Sequence, residues 1–297
     1  MIKNFNDTFT LNNGVKVPGI GYGTWQTPDG DVTRNCVREA LLAGYRHIDT
    51  ASAYGNEASV GAGIRESGVK REDIFVTTKH WVVDRGYEKT IKAVETSLEL
   101  LGLDYIDLYL IHWPCVARTN PNDWRQINAD TWRGFEKMYK EGKIRALGVS
   151  NFRKPQLDPL FEDAEIKPAV NQVEFHPGYT QMENVEYCKS LGMVIEAWSP
   201  LGSGAVLADP LLCGIAEKYG KSTAQVCVRY VLQHDVLPLP KSTKPERMKS
   251  NSEVFDFEIS EEDMKLIDSM PETGFTGWLP QDAPADALVG WRPPEEQ

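Results

Sequence analysis

Cysteines, long apolar runs and basic residues are all scarce in this sequence of 297 residues. The five cysteines are widely spaced and form no CxxC pair, so neither a disulfide framework nor a thiolate zinc site is indicated. No run approaches the roughly 20 apolar residues that cross a membrane, and residues 1–10 contain no apolar core of a signal peptide. We therefore expect a reduced, cytoplasmic protein that does not associate with membranes.

The chain has fewer basic than acidic residues, which excludes some classes of binding partner. The chain has 32 Lys and Arg against 43 Asp and Glu, a formal net charge of −11. Such an acidic protein is poorly suited to coating nucleic acids or anionic membranes, so we expect neither as a partner. Hydrophobic residues make up 41% and charged residues 25% of the chain, which is typical of a folded protein rather than a disordered one.

Short apolar runs alternate with amphipathic helical stretches along the chain. We predict eight strands, at residues 17–22, 45–49, 74–78, 106–111, 144–149, 169–173, 193–197 and 236–239. Eight β-then-α units favour a (β/α)8 TIM barrel, although an open doubly wound sheet would show the same alternation. No linker divides the chain, so we predict one domain over residues 1–297, with an N-terminal hairpin at 8–17 around Asn12, Asn13 and Gly14.

Polar or aromatic residues follow or end each predicted strand, where a barrel enzyme carries its active site. In chain order they are Gly23, Thr24 and Trp25; Asp49 and Tyr54; Lys79; His112 and Trp113; Ser150 and Asn151; Asn171 and Gln172; Trp198 and Ser199; and Lys241 and Ser242. Each has an ordinary structural explanation when it is taken singly, such as helix capping or core packing. Together at one barrel mouth, they predict an acid-base site.

Four of these residues suit the reduction of a carbonyl group. Tyr54 is a weak acid with an ordinary pKa of about 10, and a nearby Lys79 ammonium would strengthen it. Asp49 would hold Lys79 charged, and a neutral His112 could orient a carbonyl oxygen. None of the four supplies a hydride, so a reductase built from them needs a nicotinamide cofactor.

The nicotinamide cofactor has one weak and one better sequence signal. Residues 19–24 (GIGYGT) fail the GxGxxG pattern because Thr24 replaces the third glycine, and we interpret them as a turn into the first strand. Residues 241–250 carry four basic side chains against Glu246, a local net charge of +3, with Pro245 suited to a helix start. Basic groups, hydroxyls and a helix N-terminus favour phosphate binding, although a solvated helix start would look the same.

Four segments, in this order, give the chain a resemblance to the aldo-keto reductase family over about residues 11–267. They are residues 44–57 (GYRHIDTASAYGNE), 101–114 (LGLDYIDLYLIHWP), 148–152 (GVSNF) and 241–247 (KSTKPER), followed by Asn251. The resemblance implies a (β/α)8 barrel that binds NADPH without a Rossmann motif. It also implies a catalytic tetrad of Asp49, Tyr54, Lys79 and His112, with Tyr54 as the general acid in reduction.

The same resemblance assigns the cofactor site. It implies that Ser150, Asn151 and Gln172 hold the nicotinamide carboxamide, and that the ring stacks on Trp198. Arg247 and Lys241 would favour NADPH over NADH through its 2′-phosphate. The complete set of expected cofactor residues is Gly23, Thr24, Trp25, Asp49, Ser150, Asn151, Gln172, Trp198, Ser199, Leu201, Ser203, Lys241, Ser242, Thr243, Arg247 and Asn251.

The substrate is expected to be a small carbonyl compound, and the protein a monomer. We expect Trp25, Tyr54, Trp81, His112 and Trp113 to line the substrate pocket, whose aromatic walls suit small aldehydes, dicarbonyls and keto sugars. Two segments depart from the family: residues 176–179 (HPGY), where the family usually has His-Pro-Tyr, and the tail at 271–297, which contains Trp278 and Trp291. In this family the tail helps to set substrate choice.

Two other functions are compatible with parts of the pattern. His47, Asp49, Lys79, His112 and His176 could imitate the site of a metal-dependent barrel hydrolase. The usual His-x-His pair is broken by Asp49, however, and the basic segment has no part in that chemistry, so we expect no metal. A regulatory subunit that binds cofactor on the same fold is the second alternative, against which the complete tetrad argues.

Overall fold

The N-terminal hairpin is present where the sequence predicts it. The computed structural model describes residues 2–117 and 120–273. Strands β1 (Thr8–Thr10) and β2 (Lys16–Pro18) pair antiparallel, with Phe9 opposite Val17. Gly14 in the connecting turn adopts a φ of 84°, a conformation that favours glycine. The hairpin ends at Pro18, one residue beyond the predicted bound.

The eight parallel strands form a closed (β/α)8 barrel, as predicted. They are β3 (Tyr22–Gly23), β4 (His47–Asp49), β5 (Phe75–His80), β6 (Ile106–Ile111), β7 (Ile144–Ser150), β8 (Val170–Glu174), β9 (Val194–Trp198) and β10 (Leu237–Pro238). Each strand pairs with the next one along the chain. The backbone N–H groups of Gly21 and Gly23 donate to the carbonyl oxygens of Pro238 and Pro240, at 3.0 and 3.2 Å, which joins the first strand to the last.

The first predicted strand, 17–22, is divided in the structure. Its beginning belongs to the hairpin and its end to the barrel, because the chain leaves the hairpin at Pro18 and turns inward through three alternate glycines. At Gly21 a Cβ atom would lie 2.5 Å from Leu239 Cδ2 and 2.7 Å from His47 Nδ1. Glycine is therefore needed there for close packing of the first strand against the last. Of the residues interpreted as a turn, 19–24, Tyr22 and Gly23 belong to that first strand.

Ten α-helices occur among the described residues. They are α1 (Asp31–Leu42), α2 (Glu57–Glu66), α3 (Tyr87–Leu101), α4 (Trp124–Lys140), α5 (Lys154–Asp163), α6 (Met182–Ser190), α7 (Pro210–Tyr219), α8 (Thr223–Gln233), α9 (Pro245–Ser252) and α10 (Glu261–Asp268). The apolar face of α3 packs inward, with Val94, Leu98 and Leu101 buried. None of the helices in residues 2–117 and 120–273 has the length and apolar character of a bilayer span.

The apolar core has two parts, and their arrangement leaves polar side chains at one end of the barrel. Inside the barrel, Phe75, Leu108, Val170 and Leu237 share one cluster with Val17 of the hairpin. Because side chains alternate along a strand, the inward row of β5 continues from Phe75 to Thr77 and then Lys79. The barrel is therefore apolar towards the hairpin and polar towards the carboxyl ends of its strands.

Candidate active site

The four candidate catalytic residues come together at the carboxyl ends of neighbouring strands. Asp49 ends β4, Lys79 lies near the end of β5, and His112 directly follows β6. Tyr54 ends a short 3-10 turn, Ser52–Tyr54, that leaves β4 and is anchored by a bond from Ser52 Oγ to the Lys79 carbonyl oxygen at 2.9 Å. Parallel pairing of β4, β5 and β6 is what places residues so far apart in sequence beside one another.

Lys79 is the centre of this group. Its ammonium donates to Asp49 Oδ1 at 2.6 Å, to the Thr50 carbonyl oxygen at 2.8 Å and to the Tyr54 hydroxyl oxygen at 3.4 Å. Lys79 is fully buried, and these three acceptors replace the water that the charge has lost. Because the Tyr54 oxygen accepts from Lys79, the phenol proton is left for another partner.

Burial and charge act in opposite directions on these groups. Burial lowers the pKa of Lys79, but Asp49 and Tyr54 outweigh it and raise that pKa above its ordinary value, which keeps the ammonium charged. Burial raises the pKa of Tyr54, while Lys79 acts to lower it. Lys79 therefore acts on Tyr54 in the expected direction, but the loss of solvent is the larger effect. Burial, followed by Lys79, lowers the pKa of His112 well below its ordinary value, so the imidazole is neutral.

A cavity of about 570 Å³ opens above this group. Asp49, Tyr54 and His112 line its floor, and Trp25, Trp81, Trp113 and Trp198 contribute to its walls. The rings meet edge to face: Tyr54 and Trp81 lie 5.7 and 5.1 Å from His112 between ring centroids, and Trp25 lies 6.4 Å from Trp198. All five predicted substrate residues therefore line one cavity.

Most of the predicted cofactor residues line the same cavity. These are Gly23, Trp25, Asp49, Ser150, Asn151, Gln172, Trp198, Ser199, Leu201, Ser203, Lys241, Ser242, Arg247 and Asn251. Thr24 and Thr243 are absent from its lining. Thr24 is fully buried, and its hydroxyl donates to the Asp49 carbonyl oxygen at 3.0 Å. The structure thus gives Thr24 a contact that holds the end of β4.

Ser150 at the end of β7, Asn151 directly after it and Gln172 of β8 are held in place beside Trp198. Ser150 Oγ donates to the main-chain carbonyl oxygen of Gln172 at 2.8 Å. Asn151 Nδ2 donates to the His112 carbonyl oxygen at 3.0 Å, and Asn151 Oδ1 accepts from the indole N–H of Trp198 at 3.0 Å. The hydroxyl and amide groups are therefore held in fixed orientations next to an aromatic ring.

The basic residues lie at the other end of the cavity. Lys241 and Ser242 follow β10, and α9 begins at Pro245 and carries Arg247 and Asn251. Lys241 Nζ donates to the Gln26 carbonyl oxygen at 3.1 Å, and burial lowers the pKa of this lysine. One cavity thus joins an acid-base group, an aromatic and amide region, and a basic helix N-terminus. This donor set fits a nicotinamide dinucleotide phosphate.

Four residues that line the same cavity have unusual backbone conformations, which the sequence patterns do not predict. Gln26, Asn151, Ser199 and Ser203 are non-glycine residues with φ between 51° and 62°, and all four line the cavity. Such conformations are costly and concentrate at functional sites. Ser199 and Ser203 are also linked to each other through their hydroxyl oxygens at 2.8 Å.

One carboxyl group close to the tetrad was missed in the sequence. Glu196 is fully buried in β9 and lies 2.8 Å from the Gln172 side-chain nitrogen, which also donates to Asp49 Oδ2 at 2.8 Å. The available signal was its position two residues before Trp198, which puts both side chains on the inner face of the barrel. An acidic residue within an otherwise apolar strand could have been recognised on that basis.

The histidines that suggested a metal-dependent hydrolase are engaged elsewhere. His47 Nε2 lies 2.9 Å from Thr77 Oγ1, and burial lowers the pKa of His47 to about 3. His176 pairs with Glu174 at 3.2 Å and with the Pro177 carbonyl oxygen at 2.8 Å. Lys79 forms an ion pair with Asp49. His47 and His176 are thus bound in hydrogen-bonding groups separate from Asp49, Lys79 and His112.

The segment at 176–179, which differs from the usual sequence of the family, contacts the beginning of the C-terminal tail. Gly178 has a φ of 82°, and its carbonyl oxygen accepts from the backbone N–H of Thr273 at 2.9 Å. Of the predicted substrate-selecting tail at 271–297, only residues 271–273 are described, and Trp278 and Trp291 lie outside the described residues.

Comparisons with known proteins agree with this arrangement. The sequence model described as the Aldo/keto reductase family matches residues 19–272. A glyoxal reductase of Bacillus subtilis is 50% identical over 282 residues, which are 95% of this chain and 99% of that protein. Among solved structures, an aldo/keto reductase from Brucella melitensis has a TM-score of 0.82 at 45% identity, covering 88% of this chain and 98% of that one. A Bombyx mori aldo-keto reductase in complex with NADP has a TM-score of 0.85 at 36% identity, covering 94% and 98%.

Proposed function

Because the chain belongs to the aldo/keto reductase family, we propose that it reduces aldehydes and ketones to alcohols with NADPH, using Tyr54 as the general acid. The observation that carries this proposal is the set of three bonds made by Lys79 at the floor of the cavity. They hold a charged ammonium against the Tyr54 oxygen and leave the phenol proton available for transfer. The ring of the neutral His112 lies 5.7 Å from the ring of Tyr54 between centroids.

The residues of the chain divide the reaction among them. NADPH, when bound, supplies the hydride that adds to the carbonyl carbon. Tyr54 donates its proton to the carbonyl oxygen, so the C=O double bond becomes a C–OH single bond and a phenolate is left behind. Lys79 stabilises that phenolate, and Asp49 keeps Lys79 in place. His112 donates a hydrogen bond that orients the carbonyl oxygen, and solvent returns a proton to Tyr54 after the alcohol leaves.

The cofactor-binding roles follow the layout of the cavity. Ser150, Asn151 and Gln172 would hold the carboxamide of nicotinamide, and Trp198 would stack on its ring. Lys241 and Arg247, near the N-terminus of α9, would bind the phosphate at the adenosine end, which makes NADPH the preferred donor over NADH. NADH carries a neutral hydroxyl group in place of the 2′-phosphate, so it would leave Lys241 and Arg247 without an anionic partner.

The substrate class proposed here is small carbonyl compounds with adjacent polar groups. The tryptophans expected to line the substrate pocket, Trp25, Trp81 and Trp113, supply a rigid aromatic wall that accepts compact molecules such as dicarbonyls, small aldehydes and keto sugars. Because the chain is similar to a glyoxal reductase, we expect dicarbonyls to be its best substrates. We also expect the enzyme to be a cytoplasmic monomer, and gel filtration tests the oligomeric state.

A substrate panel tests the proposal directly. Purified protein is assayed for loss of NADPH absorbance with glyoxal, methylglyoxal, a keto sugar and an aromatic aldehyde, and each assay is repeated with NADH. We expect turnover with NADPH, greatest for the dicarbonyls, and much slower turnover with NADH. Tight NADPH binding without turnover of any carbonyl would instead support the regulatory cofactor-binding subunit.

A further inference from the structure

Glu196 lies at the centre of the barrel, but the mechanism above gives it no role. It is fully buried in β9, beneath Trp198 and opposite Gln172 of β8 in the strand register. Its Oε2 atom lies 2.8 Å from Gln172 Nε2, while its Oε1 atom has no hydrogen-bond partner and lies 4.0 Å from His47 Nε2. A buried carboxyl group that is only half satisfied is costly, so its presence calls for a purpose.

The contact fixes the orientation of the Gln172 amide. A side-chain NH2 group has two N–H donors, and here one points to Asp49 Oδ2 and the other to Glu196 Oε2, both at 2.8 Å. Rotating the amide by half a turn would place its oxygen against the Asp49 carboxylate. With both N–H groups used, the carbonyl oxygen is the only polar atom that Gln172 has left for a ligand in the cavity it lines.

We propose that Glu196 is a positioning residue that, together with Asp49, holds Gln172 so that its side-chain oxygen accepts the carboxamide N–H of nicotinamide. This inference rests on the proposed function, because it requires a nicotinamide cofactor in the cavity. Glu196 acts through Gln172 and does not itself touch the cofactor. Asp49 has a second task in holding Lys79, so the same carboxylate links the acid-base group to the carboxamide site.

The charges around Glu196 agree with its role as an acceptor that adds no second negative charge. Asp49 and His47 face it from β4, Lys79 from β5 and Gln172 from β8. Burial raises the pKa of Glu196 to about 8, with a further rise from Asp49, and Gln172 and Lys79 oppose that rise. At neutral pH a protonated Glu196 still offers Oε2 to Gln172 without repelling Asp49.

Three ligands separate this role from a purely structural one. NADP⁺ carries the carboxamide, its 3-acetylpyridine analogue replaces the amide NH2 with a methyl group, and adenosine 2′,5′-bisphosphate lacks nicotinamide altogether. Dissociation constants are measured by quenching of tryptophan fluorescence for the wild type and for Glu196→Met. One neutral hydrogen bond corresponds to roughly a two- to tenfold change in affinity.

We expect the wild type to prefer NADP⁺ over the acetylpyridine analogue by roughly two- to tenfold. In Glu196→Met that preference should fall, because only the bond to Asp49 then holds the Gln172 amide, while the bisphosphate binds unchanged. Glu196→Gln, which keeps an acceptor oxygen, should restore most of the preference. Glu57→Met is the matched control, because it removes another buried carboxyl group. Glu57 lies in α2 and accepts at 2.7 Å from Thr78, which is on the outer face of β5. The control should retain the wild-type preference.

The outcomes distinguish the inference from the function on which it rests. An unchanged preference in Glu196→Met would overturn the positioning role, even if the wild type binds NADP⁺ and reduces carbonyls. Failure of the wild type to bind NADP⁺ at all would instead overturn the proposed function. Binding of the bisphosphate shows that a variant is folded, and Glu196→Val, which is smaller and suits a strand, replaces Glu196→Met if methionine prevents folding.

Discussion

Replacing Glu196 with glutamine should change how the stability of the protein depends on pH. The pKa of this carboxyl group is raised from an ordinary value of 4.5 to about 8 by burial and by Asp49. Between these values the folded protein keeps a proton on Glu196 that the unfolded chain has lost. The contribution of the protonated Glu196 to the free energy of unfolding is therefore complete below pH 4.5 and is lost as the pH rises towards about 8.

The magnitude follows from the same two values. At about 1.4 kcal/mol for each pH unit, the complete loss amounts to about 5 kcal/mol, of which about 2 kcal/mol falls between about pH 6 and pH 8. A glutamine side chain cannot ionise, so the Glu196→Gln variant should avoid this loss. We expect the free energy of unfolding of the variant to rise by about 2 kcal/mol relative to that of the wild type over that interval. Beyond about pH 9 the difference between the two proteins should change little.

Urea unfolding followed by far-ultraviolet circular dichroism measures this difference. Midpoints and slopes are recorded at several pH values for the wild type, for Glu196→Gln and for Glu95→Gln, which removes an exposed carboxylate from α3. The Glu95 variant should follow the wild type at every pH. Parallel loss of stability in the wild type and in Glu196→Gln would refute a raised pKa at Glu196.

Three further predictions concern the cofactor and the barrel. Arg247→Ala should weaken NADPH binding by roughly ten- to a hundredfold and NADH binding little, because only NADPH carries the 2′-phosphate; equal losses measured by fluorescence titration would exclude that contact. Trp198→Ala should weaken NADPH binding by roughly tenfold through lost stacking and the lost bond to Asn151, and an unchanged dissociation constant would move the nicotinamide elsewhere. Gly21→Ala should destabilise the protein by about 1–3 kcal/mol in urea unfolding, because the added Cβ atom would overlap Leu239 and His47; retained stability would show that the strand can shift.

The sequence predicts the barrel and the site at its mouth for one shared physical reason. An apolar run that ends in a polar residue marks the point at which a buried strand reaches solvent or ligand, and Asp49, Lys79 and His112 each stand at such a point. In a parallel barrel these ends converge whatever their separation along the chain. The proximity of these three side chains could therefore be predicted from the sequence.

Details that depend on side-chain direction and loop conformation were not accessible in this way. Thr24 directly follows a barrel strand, yet its hydroxyl bonds to the end of β4 instead of lining the cavity. Gln26 lines the cavity with a positive φ that no pattern of residue types encodes. Glu196 stands out as an acidic residue in an apolar strand, but only its pairing with Gln172 in the structure reveals its contact.

The proton supplied by Tyr54 is the central claim, and Tyr54→Phe tests it most directly. The measurement is NADPH consumption with glyoxal by the wild type and the variant, together with the NADPH dissociation constant of each. The phenylalanine ring keeps the shape of the cavity floor but has no hydroxyl group to accept from Lys79 or to donate to the substrate. We predict that kcat falls by about 10²- to 10⁴-fold while the dissociation constant changes by less than about threefold. Turnover by Tyr54→Phe at the wild-type rate would contradict the assignment of Tyr54 as the general acid.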